Sequence, residues 1–254
     1  MLRRLFLYIN QVWAVLTVPL VFTVLVVPPT LLVLPFSVKF RLQVVGPFWR
    51  LASRYVIRFA CWSPLREIDR RLPHQRTNPP RGLFIANHQS FMDIPLMLTQ
   101  FQIAPIMKKE ILYLPVLGVM AWAAGAMIVS RRKRDSRKKV FVQAKRRLVE
   151  KQLAVQYYPE GTRNKVDAPK PYSELKVTLL HLAFEGNVPV YPISLYGTRG
   201  IIGSRGLIHT GKKVGILVKE AVLPENFPDA SSFARACWNE VVTGHQELKL
   251  ALES

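Results

Sequence analysis

From Leu5 to Phe36 the chain carries no charged side chain, and Leu, Val, Phe and Pro dominate. No stretch constrains the fold more, because a run of about 20 apolar residues suffices to cross a bilayer and Leu5 to Val27 supplies one. The run is too long for a signal-peptide core, and no small-residue cleavage site follows it. Pro19, Pro28, Pro29 and Pro35 interrupt it, and basic residues flank both ends: Arg3 and Arg4 before, Lys39 and Arg41 after. Positive flanks on both sides favour a helical hairpin dipping into one leaflet, with Met1 and Lys39 on the same side. A single span is the alternative.

Residues 37–60 extend the theme. Arg50, Arg54 and Arg58 recur every fourth position among Phe48, Trp49, Tyr55, Ile57 and Phe59. That spacing predicts a helix with one basic face and an apolar, aromatic face opposite, suited to a bilayer interface. The bland reading is an ordinary amphipathic helix packed on its own domain. No acidic residue occurs before Glu67. Over all 254 residues, 36 basic side chains face 16 acidic ones, a formal net charge of +20. The natural partner of such a surface is anionic, and beside an apolar N-terminus an anionic membrane is favoured over nucleic acid. Cys61 and Cys237 form neither a zinc spacing nor a disulfide framework and read as buried thiols in a reducing compartment.

Three regions are predicted: a membrane-associated hairpin and amphipathic helix over 1–60, a linker over 61–81, and a catalytic domain over 82–254. Pro64, Pro73, Pro79 and Pro80 mark the linker. Beyond it, short apolar runs alternate with helical patterns. Strands are predicted at 82–86, 103–107, 126–130, 153–158, 190–195 and 214–219. Helices are predicted at 94–99, 111–123, 136–151, 174–185 and 233–253. The alternation implies an α/β fold, a largely parallel mixed sheet flanked by helices, with reactive loops at the strand C-termini.

The first such loop holds Asn87-His88-Gln89-Ser90-Phe91-Met92-Asp93. A His held by a carboxylate can take a proton from a hydroxyl. Five positions apart, the two side chains meet only if His88 lies in the loop and Asp93 in the first turn of the next helix, capped by Asn87 or Ser90. The spacing alone arises by chance about one time in ten, so it needs context. Tyr158-Pro159-Glu160-Gly161-Thr162-Arg163 supplies it at the end of another strand. Gly161 permits a tight turn, Thr162 offers a hydroxyl, and Arg163 offers a fork for phosphate. Gly125 through Arg131 puts a second arginine at a strand end, and Arg131 opens a run with seven basic residues in nine. Val188 through Ile193 reads as core or edge strand. Taken singly, each block has an ordinary structural explanation.

In this order and spacing, the four blocks resemble the glycerolipid acyltransferases, specifically the bacterial 1-acyl-glycerol-3-phosphate acyltransferases. The family's lysine-glutamate stretch has a counterpart in Lys108-Lys109-Glu110. Tyr158 stands where the family usually has Phe, and Thr178 where many members have Gly. The resemblance covers about residues 80–200. It implies an O-acyltransferase moving a fatty acyl group from acyl-CoA or acyl carrier protein to the free hydroxyl of a lysophospholipid, most naturally 1-acyl-glycerol-3-phosphate, giving phosphatidic acid. His88 and Asp93 would be catalytic. Arg131, Glu160, Gly161, Thr162 and Arg163 would bind the acceptor. No metal and no resident cofactor is implied, and the setting would be the inner membrane with the catalytic domain facing the cytoplasm. A lyso-aminolipid acceptor and a non-catalytic lipid-binding protein are the alternatives.

Overall fold

The computed structural model describes residues 2–76, 81–101, 103–113, 115–130, 134–202 and 207–254. The apolar N-terminus runs as α1 (Leu2–Val21), a π-helical turn (Phe22–Val26) and α2 (Val27–Leu32) without a break. Pro28 and Pro29 open α2, where a missing N–H costs little. Each ring would clash with the carbonyl four residues back, at Val24 or Leu25, and the widened π turn lies there. The prolines that suggested a hairpin inside the run are therefore accommodated, and that expectation is corrected. The reversal comes at 33–37, where Phe36 N–H donates to Val33 O (3.0 Å) and the Ser37 hydroxyl caps α3 (Val38–Tyr55). A second π turn (Val56–Ala60) ends this arm, and Asn10 reaches back to Ala60 O (3.3 Å). The hairpin thus has two long antiparallel arms, and residues 2 and 37 lie at opposite ends of a helix roughly 45 Å long.

Within α3 the sequence pattern resolves differently from a basic face opposite an apolar one. Leu42, Val45, Trp49 and Ala52 form a buried stripe, whereas Phe40, Phe48, Leu51 and Phe59 are exposed beside the basic residues. The buried stripe joins Phe22 and Val26 against Phe84, Leu96, Tyr191 and Ile193 of the following domain. Residues 2–60 are therefore one helical layer of the fold.

The sheet has seven strands: β1 (Leu65–Asp69), β2 (Leu83–Ala86), β3 (Ala104–Lys108), β4 (Met127–Val129), β5 (Val155–Tyr157), β6 (Val190–Tyr196) and β7 (Val214–Val218). Their order is β1-β7-β6-β2-β5-β3-β4, parallel throughout except for the antiparallel β6–β7 pair. The six predicted strands are all present. β1 corrects the linker: it falls inside 61–81 and pairs in parallel with β7, Leu65 against Val214. On β2, Phe84 and Ala86 face the N-terminal helices and α4 (Asp93–Leu98), while Leu83 and Ile85 face the opposite helical layer. That layer holds α6 (Arg134–Lys145), α7 (Thr178–Glu185) and α8 (Ala230–Glu253). The remaining helix, α5 (Pro115–Ala123), precedes β4. Both faces of the central strands are covered, as a largely parallel sheet requires. Cys61 and Cys237 are buried free thiols, and burial pushes Cys61 up to about 12.

Outside this packing, Tyr8–Leu32 is 25 residues with a mean hydropathy of 2.2, long and apolar enough to cross a membrane. Only 17% of that window is buried, so it is not the core helix of a soluble domain. Val12, Trp13, Leu16, Leu20 and Val24 are exposed along it.

Candidate active site

β2, β3, β5 and β6 run parallel, so their C-termini open onto one edge of the sheet. There the chain leaves β2 into Asn87, whose amide replaces a strand residue: Oδ1 accepts Leu195 N–H (2.8 Å) and Nδ2 donates to Leu195 O (2.9 Å). His88 follows in the loop, and Asp93 opens α4. The His88 Nδ1–Asp93 Oδ2 distance is 2.7 Å. Asp93 is fully buried, and the same Oδ2 accepts the N–H groups of Gln89 (2.7 Å) and Ser90 (2.9 Å). Asp93 itself closes this turn. Neither Asn87 nor Ser90 caps α4, because Asn87 is spent on β6 and the Ser90 hydroxyl takes Met92 N–H (3.2 Å).

The loop after β5 is drawn onto this turn, with Asn164 N–H donating to His88 O (2.7 Å). The Tyr158 ring stacks on the His88 imidazole, centroids 4.2 Å apart and 21° from parallel. Glu160 sits behind the pair. Burial pushes its carboxyl up to about 7, against the N–H groups of Lys170 and His88 and the Lys170 charge; Asp93 raises it further. Gly161 adopts φ +64°, and a Cβ there would lie 2.8 Å from Lys176 Nζ. The turn therefore needs glycine for its left-handed backbone, and the flexible end of Lys176 crosses directly over it.

Beside His88 opens a cavity of about 770 Å³. Its deep wall is apolar, built from Ile94, Leu98, Ile103, Met120 and, from the N-terminal hairpin, Trp49. Lys108, Arg137, Arg163 and Lys176 supply four cationic side chains to the lining, which contains no carboxylate among the described residues. Of the residues singled out in the sequence, His88, Gly161 and Arg163 line the cavity. Asp93 and Glu160 lie behind it, and Thr162 is exposed on the loop, outside the lining. Arg131 lies outside the described residues. Val190–Ile193 is a core strand, with Tyr191 stacked on Phe84 at 4.6 Å.

Three contributions escaped the motif reading. Lys176 was visible only as the counterpart of a lysine in the family's pattern, with no role assigned to it, and Arg137 only as one charge in a basic run. Thr198, whose hydroxyl donates to Asp93 Oδ1, carries no sequence signal at all.

Comparison with known proteins places these features in context. A family model described as acyltransferase matches residues 69–196. The 1-acyl-sn-glycerol-3-phosphate acyltransferase of Haemophilus influenzae is 27% identical over 138 residues, 54% of this chain and 56% of that protein. The human 1-acyl-sn-glycerol-3-phosphate acyltransferase beta is 27% identical over 188 residues, 72% of this chain and 62% of that protein. Each match spans less than two thirds of the relative's length. The crystal structure of the 1-acyl-sn-glycerophosphate acyltransferase from Thermotoga maritima shares the fold, with a TM-score of 0.67 over 94% of this chain and 98% of that one, at 22% identity.

Proposed function

The chain belongs to the acyltransferase family, and we propose that it transfers a fatty acyl group from an acyl thioester to the free hydroxyl of 1-acyl-glycerol-3-phosphate, giving phosphatidic acid. The observation that carries this reading is a buried-carboxylate–histidine pair beside an apolar cavity that has four cations and no acid in its described lining. Acyl chains fit the apolar wall. A phosphate fits the cations, which favour a phosphate-bearing acceptor over a lyso-aminolipid.

In the proposed mechanism His88 Nδ1–H donates to Asp93, which fixes the tautomer and leaves Nε2 to accept the acceptor hydroxyl's proton. The oxygen attacks the thioester carbonyl, the C–S bond breaks, and the departing sulfur takes the proton back from the imidazolium. The N–H groups of Gln89 and Ser90 are committed to Asp93, and that of His88 to Glu160. Donors for the tetrahedral oxyanion therefore come from elsewhere around the cavity. Arg163, with Lys108, Lys176 and Arg131, holds the acceptor phosphate. Glu160 and Gly161 shape the loop that presents Arg163, and Thr162, exposed on that loop, offers its hydroxyl to the acceptor. The donor is acyl-CoA or acyl carrier protein, both anionic and cytoplasmic, which suits a +20 protein at the cytoplasmic face of the inner membrane.

The test uses purified full-length enzyme with acyl-CoA or acyl carrier protein and a panel of lyso-lipids, products read by mass spectrometry. Phosphatidic acid from 1-acyl-glycerol-3-phosphate is expected, with a loss of about 10²-fold or more in His88→Ala. Turnover of a phosphate-free acceptor in preference would overturn the substrate, and an active His88→Ala the mechanism.

A further inference from the structure

The Asp93 carboxylate is held unevenly. Oδ2 accepts from three donors, His88 and the two backbone N–H groups. Oδ1 accepts from one donor among the described residues, the hydroxyl of Thr198. Thr198 is wholly buried, 105 positions away in sequence, in the turn that follows β6. Two features aim it. Gly197 adopts φ +80°, and a Cβ there would come within 2.1 Å of Lys213 O, so only glycine lets the chain turn at this point. The Asn87–Leu195 pair of hydrogen bonds ties the end of β6 to the end of β2, holding both turns in register.

We propose that Thr198 is a positioning residue for acyl transfer, acting through Asp93 to hold the His88 imidazole. The proposal rests on the reading of His88 as the base. A carboxylate anchored through one oxygen still rotates about Cβ–Cγ, and that rotation swings Oδ2 out of line with Nδ1. A donor on Oδ1 removes the freedom. It also satisfies a buried carboxylate oxygen that would otherwise seek another donor by turning. No motif block contains Thr198, and the family-model match stops at residue 196.

The test uses the full chain in phospholipid–detergent micelles, with 1-acyl-glycerol-3-phosphate and acyl-CoA. Thr198→Val keeps shape and loses the donor. It is expected to melt within a few degrees of wild type, to lose about ten- to a hundredfold in kcat, and to keep KM for both substrates within about twofold. Thr198→Ser, which restores the hydroxyl, is expected to recover most of kcat. Wild-type kcat in Thr198→Val, equal losses in the valine and serine variants, or a loss confined to KM would each overturn the proposal. If Thr198→Val does not fold, Thr198→Ala is read against the same expectations. His88→Ala runs alongside: activity there removes the underlying reading, whereas an inactive His88→Ala with an unaffected Thr198→Val removes this proposal alone.

Discussion

Glu160 has the environment of a group that folding forces to choose. Its side chain is 2% exposed, and Oε2 has no hydrogen-bond partner among the described residues. Burial raises its carboxyl from 4.5 to about 7. A carboxyl whose folded value is raised favours the folded state most at low pH. That contribution is whole below about 4.5 and is lost as pH rises through about 7. A displacement of this size is worth roughly 3 kcal/mol. Glu160→Gln should therefore gain stability relative to wild type between pH 4.5 and pH 7.5, read as a widening gap in melting temperature. A gap that stays constant with pH would remove Glu160 as the source. The neighbouring Tyr158 carries a buried hydroxyl with no well-formed hydrogen bond. Tyr158→Phe should leave kcat within about twofold and stability unchanged or raised by up to about 1 kcal/mol, because the stack survives and a buried hydroxyl with only a weak approach to Gln156 goes. Measured destabilisation above that would mean the hydroxyl has a partner. At this scale the sequence was most legible where short motifs close local turns. His88 and Asp93 are five apart and meet through one turn. Thr198 and Lys176 reach the site through tertiary packing, and no local spacing records that.

Among the elements, the strands with unbroken apolar runs were legible because both faces of the central sheet are buried. β1 was not: Leu-Arg-Glu-Ile-Asp carries three charges in five residues and lies among prolines. An edge strand bonded on one side tolerates such residues, and Glu67 is paired with Arg54 of α3 at 2.9 Å. The prolines of the N-terminus misled for the opposite reason, since a π turn absorbs them without breaking the helix. The boundary drawn at residue 60 fails on packing. Trp49 is 1% exposed and bridges the hairpin, the core and the cavity wall. Trp49→Ala should cost about 3–5 kcal/mol, measured by chemical denaturation with one cooperative transition. Chain lacking residues 1–60 should fail to fold, because Phe84, Tyr191 and Ile193 would lose their cover. A soluble, cooperatively melting 61–254 fragment would restore the separate domain.

The whole molecule decides how the long apolar helix meets a bilayer. Taken alone, Tyr8–Leu32 satisfies the length and composition of a span. It is not alone. α3 lies antiparallel against it, and the buried stripe of α3 that meets it also packs on the sheet domain. If the apolar helix crossed the membrane, Arg50, Arg54 and Arg58 would be carried to the same depth, together with the catalytic edge. Burying charges there costs several kcal/mol each. Lying along one leaflet avoids that cost. The exposed row from Phe6 to Leu32 then meets acyl chains, and the exposed aromatics Phe40, Phe48 and Phe59 sit beside arginines at headgroup level. In that seating both ends of a roughly 45 Å helix stay on one side of the membrane although they are far apart. Single cysteines in place of Leu2 and Ser37 should therefore both resist an impermeant thiol reagent added outside intact spheroplasts, and both react after lysis. Cys61 and Cys237 are buried and give little background. Labelling at one position from outside would establish a span. Binding should also weaken as salt rises on vesicles with anionic lipid, while detergent stays necessary to extract the chain, because charge and apolar burial act together. Release by salt alone would mean that the apolar row never enters the leaflet.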